Sequence, residues 1–460
     1  ATFGDELVTK RHVKLDSFLW DDGWDDPQTL WEFDKDRFPR SFDAVSAKAK
    51  SFGTGTGVWL SPWGGYGFPQ EARVKYGREH GYETNWNARM EVEAFSLAGP
   101  KYYQVFKDVA LAMVQEQAVN MFKFDGVAGD PKELAVEMEA MLGLIKDLRT
   151  GQTKTSDDND DDIWINLTTG TWASPFFLLW ADSIWRGGPD IATRMRDWAP
   201  DRMQALHPKS VANQPSNVGA DGLSKRQRWI RWRSLVVYEL VVRRSWFFPI
   251  SQLMIHGVVL AGHGDALFWG LDRFDDIDFT QEVWSFLALG LQLQELYVSP
   301  RYMTAQAWDI LAEGLNWARR EAAVLRDSHW AFGSPGHRDV YCVASWDVEA
   351  RRGFVFLHNP TGIARLSAEF RLSRILELPA AQHRMQLSVQ LVKSAARKGQ
   401  ISNAPRLVGW GCDAPFEDLL DDAKAAAGEI RSNNCSLGVD VPVQIRLLPT
   451  EVLVLAVAAG

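Results

Sequence analysis

The sequence predicts an α/β fold: a (β/α)8 TIM-type barrel over residues 1–330 with its first βα unit missing from this chain, then an antiparallel β-sandwich-like domain over residues 331–460. Three observations predict it. Short apolar runs alternate with helical stretches, and seven such strands precede residue 298, which is the rhythm of a parallel sheet. The loops that follow the early runs carry Asp, Gly and Trp, as the C-terminal strand ends of a barrel do. After about residue 330 the helices give way to short strands separated by Pro, Gly and Asn. A doubly wound open sheet is the competing architecture. It would carry a glycine-rich phosphate loop after its first strand, and the sequence has none there.

Taken in order, residues 1–12 read as the end of a helix and a turn, so the strand before them is expected in a removed or separate segment. Residues 13–20 are a strand running into Asp21-Asp22-Gly23-Trp24. Ala44, Val45, Ala47 and Ala49 mark a helix over 41–51, and 57–63 is the next strand. Pro100 suits the first turn of a helix over 99–119. Asn120 to Gly126 (NMFKFDG) is a short buried strand, with Gly126 allowing a sharp exit, and 131–149 is helical. The acidic stretch 152–162 is a solvated loop. Strands follow at 163–167 and within 177–185, then a Pro/Asn/Gly/Ser-rich excursion over 197–224. A basic amphipathic helix spans 225–244, with strands over 247–257 and 291–298 and helices over 280–289 and 303–320. The later strands are 340–346, 353–357, 386–391 and 451–455, with a helical segment near 416–428.

Composition excludes several classes. Of 460 residues, 46% are hydrophobic and 24% charged, ordinary for a globular protein. A net charge of −9 repels a polyanion, so nucleic acid is not an expected partner. No apolar run reaches the roughly 18 residues a bilayer span needs, and no membrane partner is expected. The residues Ala-Thr-Phe-Gly-Asp-Glu at the start have no signal-peptide pattern. The compartment stays open between secreted, periplasmic and cytoplasmic, and a homo-oligomer or a missing N-terminal segment is compatible with the chain. Three cysteines, Cys342, Cys412 and Cys435, form no disulfide framework or metal spacing; no metal and no cofactor is expected. The 21 tryptophans stand out. Most fill core, but a few at strand ends would give flat apolar platforms for sugar rings.

In a barrel the chemistry sits at the C-terminal strand ends. Those positions hold Asp21 and Asp22, Trp59 and Trp63, Lys123 and Asp125, Asn166, Trp185 and Arg186, and Asp190. Lys123 and Asp125 stand two apart and point the same way in a strand. An ammonium group there would keep Asp125 ionised, as a nucleophile requires; an ordinary corner with a surface ion pair explains the same seven residues. Two carboxylates in different surroundings suit glycoside hydrolysis. Asp125 would be the charged partner. Asp190, after Gly-Gly-Pro, would be the acid. His256 and His263 are read as structural, and the run Asp272, Asp275, Asp276, Asp278 as a solvated loop with a weak chance of binding a cation.

Three motifs in order resemble the α-galactosidase clan, glycoside hydrolase families 27 and 36. Trp20-Asp21-Asp22-Gly23-Trp24, with Phe38-Pro39 downstream, resembles its Asp-Asp-x-Trp strand end. Phe122-Lys123-Phe124-Asp125-Gly126 resembles its Lys-x-Asp-Gly nucleophile motif, and Trp185-Arg186-Gly187-Gly188-Pro189-Asp190 its Trp-Arg-x-x-x-Asp acid/base motif. Gly57-Val58-Trp59 resembles the intervening Gly-Ile-Tyr strand. The resemblance covers residues 13–320 and implies a retaining enzyme that removes terminal α-galactosyl residues from oligosaccharides or glycoconjugates. It makes Asp125 the nucleophile and Asp190 the acid/base. Asp21 and Asp22 would bind sugar hydroxyls, an axial O4 among them; Lys123 and Arg186 would bind others. Trp59, Asn166, Trp172 and Trp185 would complete the pocket. Where the clan carries a Cys-containing motif after its fifth strand, this chain has Asn166-Leu167-Thr168-Thr169-Gly170-Thr171-Trp172. This leaves galactose, N-acetylgalactosamine and a pentose as alternatives, and a non-catalytic sugar-binding protein as a third reading.

Overall fold

A strand buried on both faces must alternate what it shows to each, and the segment NMFKFDG does so. In the computed structural model, residues 1–88, 90–126, 134–150, 163–169, 174–185, 221–243, 248–262, 270–396, 407–408 and 435–459 are described. The chain packs as two units, Ala1–Gly188 and Pro189–Gly460.

In the first unit the strands Ser17–Trp20, Gly55–Leu60, Val119–Gly126, Trp164–Thr169 and Ser183–Trp185 lie side by side in that order, all parallel. Register places Trp59 beside Lys123, Lys123 beside Asn166, and Asn166 beside Ser183. Two residues further along the same face, Asp125 lies beside Thr168. The other face carries Leu60, Phe124, Leu167 and Ile184, neighbours in the same way and all buried. Phe106, from the helix Pro100–Gln115, covers that face 6.3 Å from Phe124. Burying each such side chain stabilises by about 1.5–3 kcal/mol, so a one-residue slip, which would exchange the two rows, is strongly opposed.

The helices Asp43–Lys50, Pro100–Gln115 and Leu134–Thr150 fall where the sequence places them. The helix Gly67–Glu79 and the hairpin of Thr84–Asn87 with Val92–Phe95 were not expected. The helix sequence GFPQEARVKYGRE has two glycines, a proline and no apolar stripe; its buried residues are Gln70, Arg73, Val74 and Gly77. Gly77 lets the helix touch Phe95, whose ring a Cβ would meet at 2.2 Å. Only Ser183–Trp185 of the stretch 177–185 is strand; Pro175–Leu179 is a short helical turn capped by Ser174.

In the second unit the strand expected over 247–257 becomes two short pieces, Leu253–Met254 and Val258–Leu260. Gly257 lies at the break, where a Cβ would meet the Glu295 carbonyl at 2.2 Å. Val258–Leu260 pairs in parallel with Leu296–Val298. The basic helix Lys225–Val237, opened by a Ser224/Gln227 capping box, is buried on nearly every side rather than amphipathic. Arg226, Arg231 and Arg233 are buried: Arg226 pairs with Glu282 and donates to the carbonyls of Val259 and Leu271 at 2.9 Å. The acidic run is a loop only as far as exposed Asp275, and its last member, Asp278, is buried in the helix that follows. Asp275 caps the helix Asp276–Leu287, and buried Asp278 accepts from Ser224 and Gln227 at 2.6 and 2.7 Å. His256 is buried against Tyr297, and His263 lies outside the described residues.

The antiparallel part has a six-stranded sheet in the order His329–Phe332, Tyr341–Asp347, Arg352–His358, Val452–Ala459, Gln386–Ala395, Cys435–Gly438. A three-stranded sheet of Arg365–Leu366, Gln444–Leu447 and Leu407–Val408 shares its core. The helix expected near 416–428 lies outside the described residues. Among the described residues no helix is long and apolar enough to cross a membrane.

Beneath the large sheet, Ser234 Oγ meets the Tyr341 hydroxyl at 2.6 Å, and that hydroxyl meets His358 Nδ1 at 2.7 Å. Burial, with Arg233 nearby, pushes the His358 imidazole down to about 3. A depressed value means the unfolded chain binds the extra proton. The contribution is therefore complete above about pH 6.5 and is lost as pH falls toward 3, at about 1.4 kcal/mol per pH unit. Urea unfolding from pH 7 to 4 should show His358→Gln losing less stability than the parent chain by up to this slope; parallel curves would contradict the assignment.

Candidate active site

The Val119–Gly126 strand ends by turning its last carboxylate into a ring of donors. Asp125 Oδ1 accepts from the Gly126 N–H at 2.7 Å and the Tyr66 hydroxyl at 3.0 Å, and Oδ2 accepts from Trp59 Nε1 at 3.1 Å. Gly126 makes the turn possible: its φ is +125°, and a Cβ there would meet Ser61 Oγ at 2.7 Å. Burial raises the Asp125 carboxyl above the usual carboxylate range. The Trp59 bond, the Lys123 charge, the Gly126 N–H and the Tyr66 hydroxyl pull it back without cancelling the rise. The expectation that Lys123 keeps Asp125 ionised is met in sign and outweighed by burial. Lys123 Nζ itself donates to Asp21 Oδ2 at 2.9 Å, which ties the first strand's end to the third's.

Beside this pair lies a buried cation. Arg73, on the unexpected helix Gly67–Glu79, donates from Nε and Nη2 to the two oxygens of Asp25 at 2.8 and 2.7 Å. Nη2 also reaches Asp22 Oδ1 at 3.2 Å, and Nη1 donates to the Gly64 carbonyl at 2.8 Å. The guanidinium stacks 4.4 Å over Trp31 and lies 5.7 Å from Trp59. Burial raises the Asp22 carboxyl, and Arg73 opposes the rise. Trp24 Nε1 donates to the Trp59 carbonyl at 2.8 Å, so the motif's second tryptophan anchors the neighbouring strand's end. Phe38 packs edge-on against Trp20 at 5.4 Å, which accounts for its place downstream of that motif.

Under the loop that follows the Gly55–Leu60 strand, buried Glu137 collects four donors. These are Ser96 Oγ at 2.6 Å, the Leu97 N–H at 2.8 Å, Trp63 Nε1 at 3.0 Å and Asn85 Nδ2 at 3.2 Å. A buried carboxylate satisfied four ways is an anchor, not a reagent. It fixes Trp63, the hairpin and the helix Leu134–Thr150 against one another.

Of the residues singled out in the sequence, Asp21, Asp22, Trp59, Lys123 and Asp125 meet at these strand ends through the contacts just given. Asn166 is buried in the row beside Lys123, and Trp185 is buried at the end of its strand. Trp172, Arg186 and Asp190 lie outside the described residues. Sequence reasoning missed Tyr66, Arg73, Asp25 and Glu137. Asp25 stands beside the acidic motif and could have been included with it; the other three act across separations of 40 or more positions, as in the 48 between Arg73 and Asp25, and leave no local signal.

The parallel sheet of the first unit and the antiparallel sheets of the second have counterparts among solved structures. A GH36 α-galactosidase from Geobacillus stearothermophilus in complex with raffinose aligns over 100% of this chain, with a TM-score of 0.55 and 10% identity. The fold is that of the α-galactosidase clan. The galactosidase domain of an α-galactosidase–sucrose kinase aligns with a TM-score of 0.56 at 12% identity, and the Saccharomyces cerevisiae α-galactosidase with raffinose at 0.51 and 12%, each over 100% of this chain. The chain spans about half the length of the first two (53% and 52%) and 92% of the yeast enzyme. At these identities the likeness to the clan is one of fold. No family model and no curated protein matches the sequence.

The raised Asp125 carboxyl has a thermodynamic signature. A folded pKa above the unfolded one gives a contribution present below the ordinary carboxylate range, near 3.8, and lost as pH rises through the folded value. The stability of the parent chain relative to Asp125→Asn should therefore fall as pH climbs from about 3 to neutrality. Guanidinium unfolding of both at several pH values checks this, and a difference that grows in the parent's favour would contradict it.

Proposed function

We propose that the protein is a retaining glycoside hydrolase that releases terminal α-galactosyl residues from oligosaccharides or glycoconjugates. The observation that carries the proposal is the setting of Asp125: a half-buried carboxylate at a strand end, cradled by Trp59, Tyr66 and Gly126, with the Asp21–Lys123 pair alongside. The clan fold supports it, and so does the raffinose bound by two of the structures the chain resembles. On this reading the parallel strands close into a (β/α)8 barrel, residues 1–330 form the catalytic domain and residues 331–460 the antiparallel one.

The carboxylate's two oxygens are unequal. Oδ1 holds two donors and Oδ2 one, so Oδ2 keeps the lone pair for attack. In the first step Oδ2 bonds to the anomeric carbon as the bond to the leaving oxygen breaks, and Asp190 passes its proton to that oxygen. Water then attacks the same carbon, Asp190 takes the water's proton, and Asp125 leaves as carboxylate. Asp21, Asp22, Lys123 and Arg186 bind hydroxyls. Trp172 walls the sugar, with buried Trp59 and Trp185 backing the pocket and Asn166 near its C2 substituent. Asp21 and Asp22 are exposed in the free protein; once a bound sugar covers them, an equatorial epimer would leave the partner of the axial hydroxyl unpaired, at about 1–3 kcal/mol.

Purified protein should release p-nitrophenol from p-nitrophenyl α-galactoside, with the α-anomer as first product by NMR. Asp125→Asn should cut kcat by about 10^3-fold or more. A sugar-bound crystal structure should place the Asp125 and Asp190 carboxyls roughly 5–7 Å apart. Turnover unchanged in Asp125→Asn would remove the mechanism. Saturable sugar binding without turnover would leave the non-catalytic reading.

A further inference from the structure

We propose that Arg73 is the positioning residue of this site: its guanidinium, locked to Asp25, holds the Asp22 carboxylate where a bound sugar needs it and the buried Trp59 ring where it reaches Asp125. The inference rests on the glycosidase reading and deepens it, because Arg73 itself is buried and would touch no substrate.

The two aspartates stand in unlike relations to the cation. Asp25 is fully buried and receives two short parallel bonds, at 2.8 and 2.7 Å, the geometry of a fork matched to a carboxylate. Asp22 keeps 36% of its side chain exposed and receives one longer bond, at 3.2 Å. Asp25 thus neutralises the charge that burial makes costly, while Asp22 is steered with most of its lone pairs left for hydroxyl groups. Among the described residues Arg73 is the only partner of the Asp22 side chain.

The guanidinium is itself fixed on every side. Four of its five N–H directions are used, by Asp25 twice, by Asp22 and by the Gly64 carbonyl. Trp31 closes one side at 4.4 Å, and Trp59 lies within 5.7 Å. Trp31 adopts φ +61°, rare for so bulky a residue, and its ring, stacked on the guanidinium, also lies 6.1 Å from that of Trp59. The space is so closed that a Cβ on Gly65, whose φ is +92°, would meet both Arg73 Nη1 and the Trp59 ring at 2.9 Å. Trp59 in turn donates to the attacking oxygen of Asp125. One planar cation therefore sets a sugar-binding carboxylate, and through Trp59 the nucleophile. A lysine, a point charge on a flexible stem, could neutralise Asp25 but could not keep this geometry.

Two variants test it. Arg73→Lys keeps a charge; the double variant Arg73→Met/Asp25→Asn removes both buried charges, so neither is left unpaired. In each, KM for p-nitrophenyl α-galactoside should rise about tenfold or more while kcat falls less, and adding Asp22→Asn should raise KM little further, since Asp22 is already released. An unchanged KM, or effects of Asp22→Asn and Arg73→Lys that simply multiply, would overturn the proposal. If the parent chain hydrolyses no α-glycoside, the glycosidase reading fails separately. Positioning is then read from the Asp22 carboxyl resonance by 13C NMR, which should titrate higher in the double variant; an unmoved titration would overturn it.

Discussion

The two-residue period of a strand with different surroundings on its two faces is the constraint on which this molecule's site depends. In the Val119–Gly126 strand the odd residues Lys123 and Asp125 point to one side, and the even residues Phe122 and Phe124 to the other. Parallel neighbours in register repeat the division, so Trp59, Lys123 and Asn166 form one row and Leu60, Phe124 and Leu167 another. The apolar row secures the register, and the register delivers the polar row to the strand ends. Core packing and site geometry are thus one fact seen from two faces.

Charge placed in low dielectric gives the next level of order. An unpaired buried ion is costly, and three buried ions here each recruit several partners. Arg73 gathers Asp25, Asp22 and the Gly64 carbonyl; Glu137 gathers four donors; Arg226 gathers Glu282 and three carbonyls. Each such centre joins segments far apart in the chain, and the first two contact the strand that carries Trp59 and the loop that carries Trp63. Asp125 is held differently. Its donors are one indole, one hydroxyl and one backbone N–H, with Lys123 engaged by Asp21, and its carboxyl is left raised.

Much of this was legible in the sequence because it is written locally. Strand ends announced themselves as apolar runs stopping at Asp-Asp-Gly-Trp or Lys-Phe-Asp-Gly, and helices such as Pro100–Gln115 carried both a start signal and a stripe. The failures share a cause. The helix Gly67–Glu79 has no stripe, because it is held by Arg73 and by the close approach of Gly77 to Phe95 rather than by apolar burial. The acidic run near residue 275 reads as solvated, yet Asp278 is drawn inward by Ser224 and Gln227, more than fifty positions upstream. The arginines of Lys225–Val237 mimic an exposed basic face and are in fact core, for the same reason.

Taken alone, the sequence determined the early parallel strands and several of the helices between them, the change to antiparallel structure after about residue 330, and the carboxylates, lysine and tryptophans near strand ends. Those follow from periodicity and turn chemistry, which act over a few residues. Tertiary structure decided which groups hold which: that Lys123 engages Asp21, that Tyr66 and Trp59 divide the oxygens of Asp125, and that Arg73 joins Asp25 to Asp22. Hydrogen bonds and ion pairs between distant segments depend on distance and burial, and neither exists until the chain has folded.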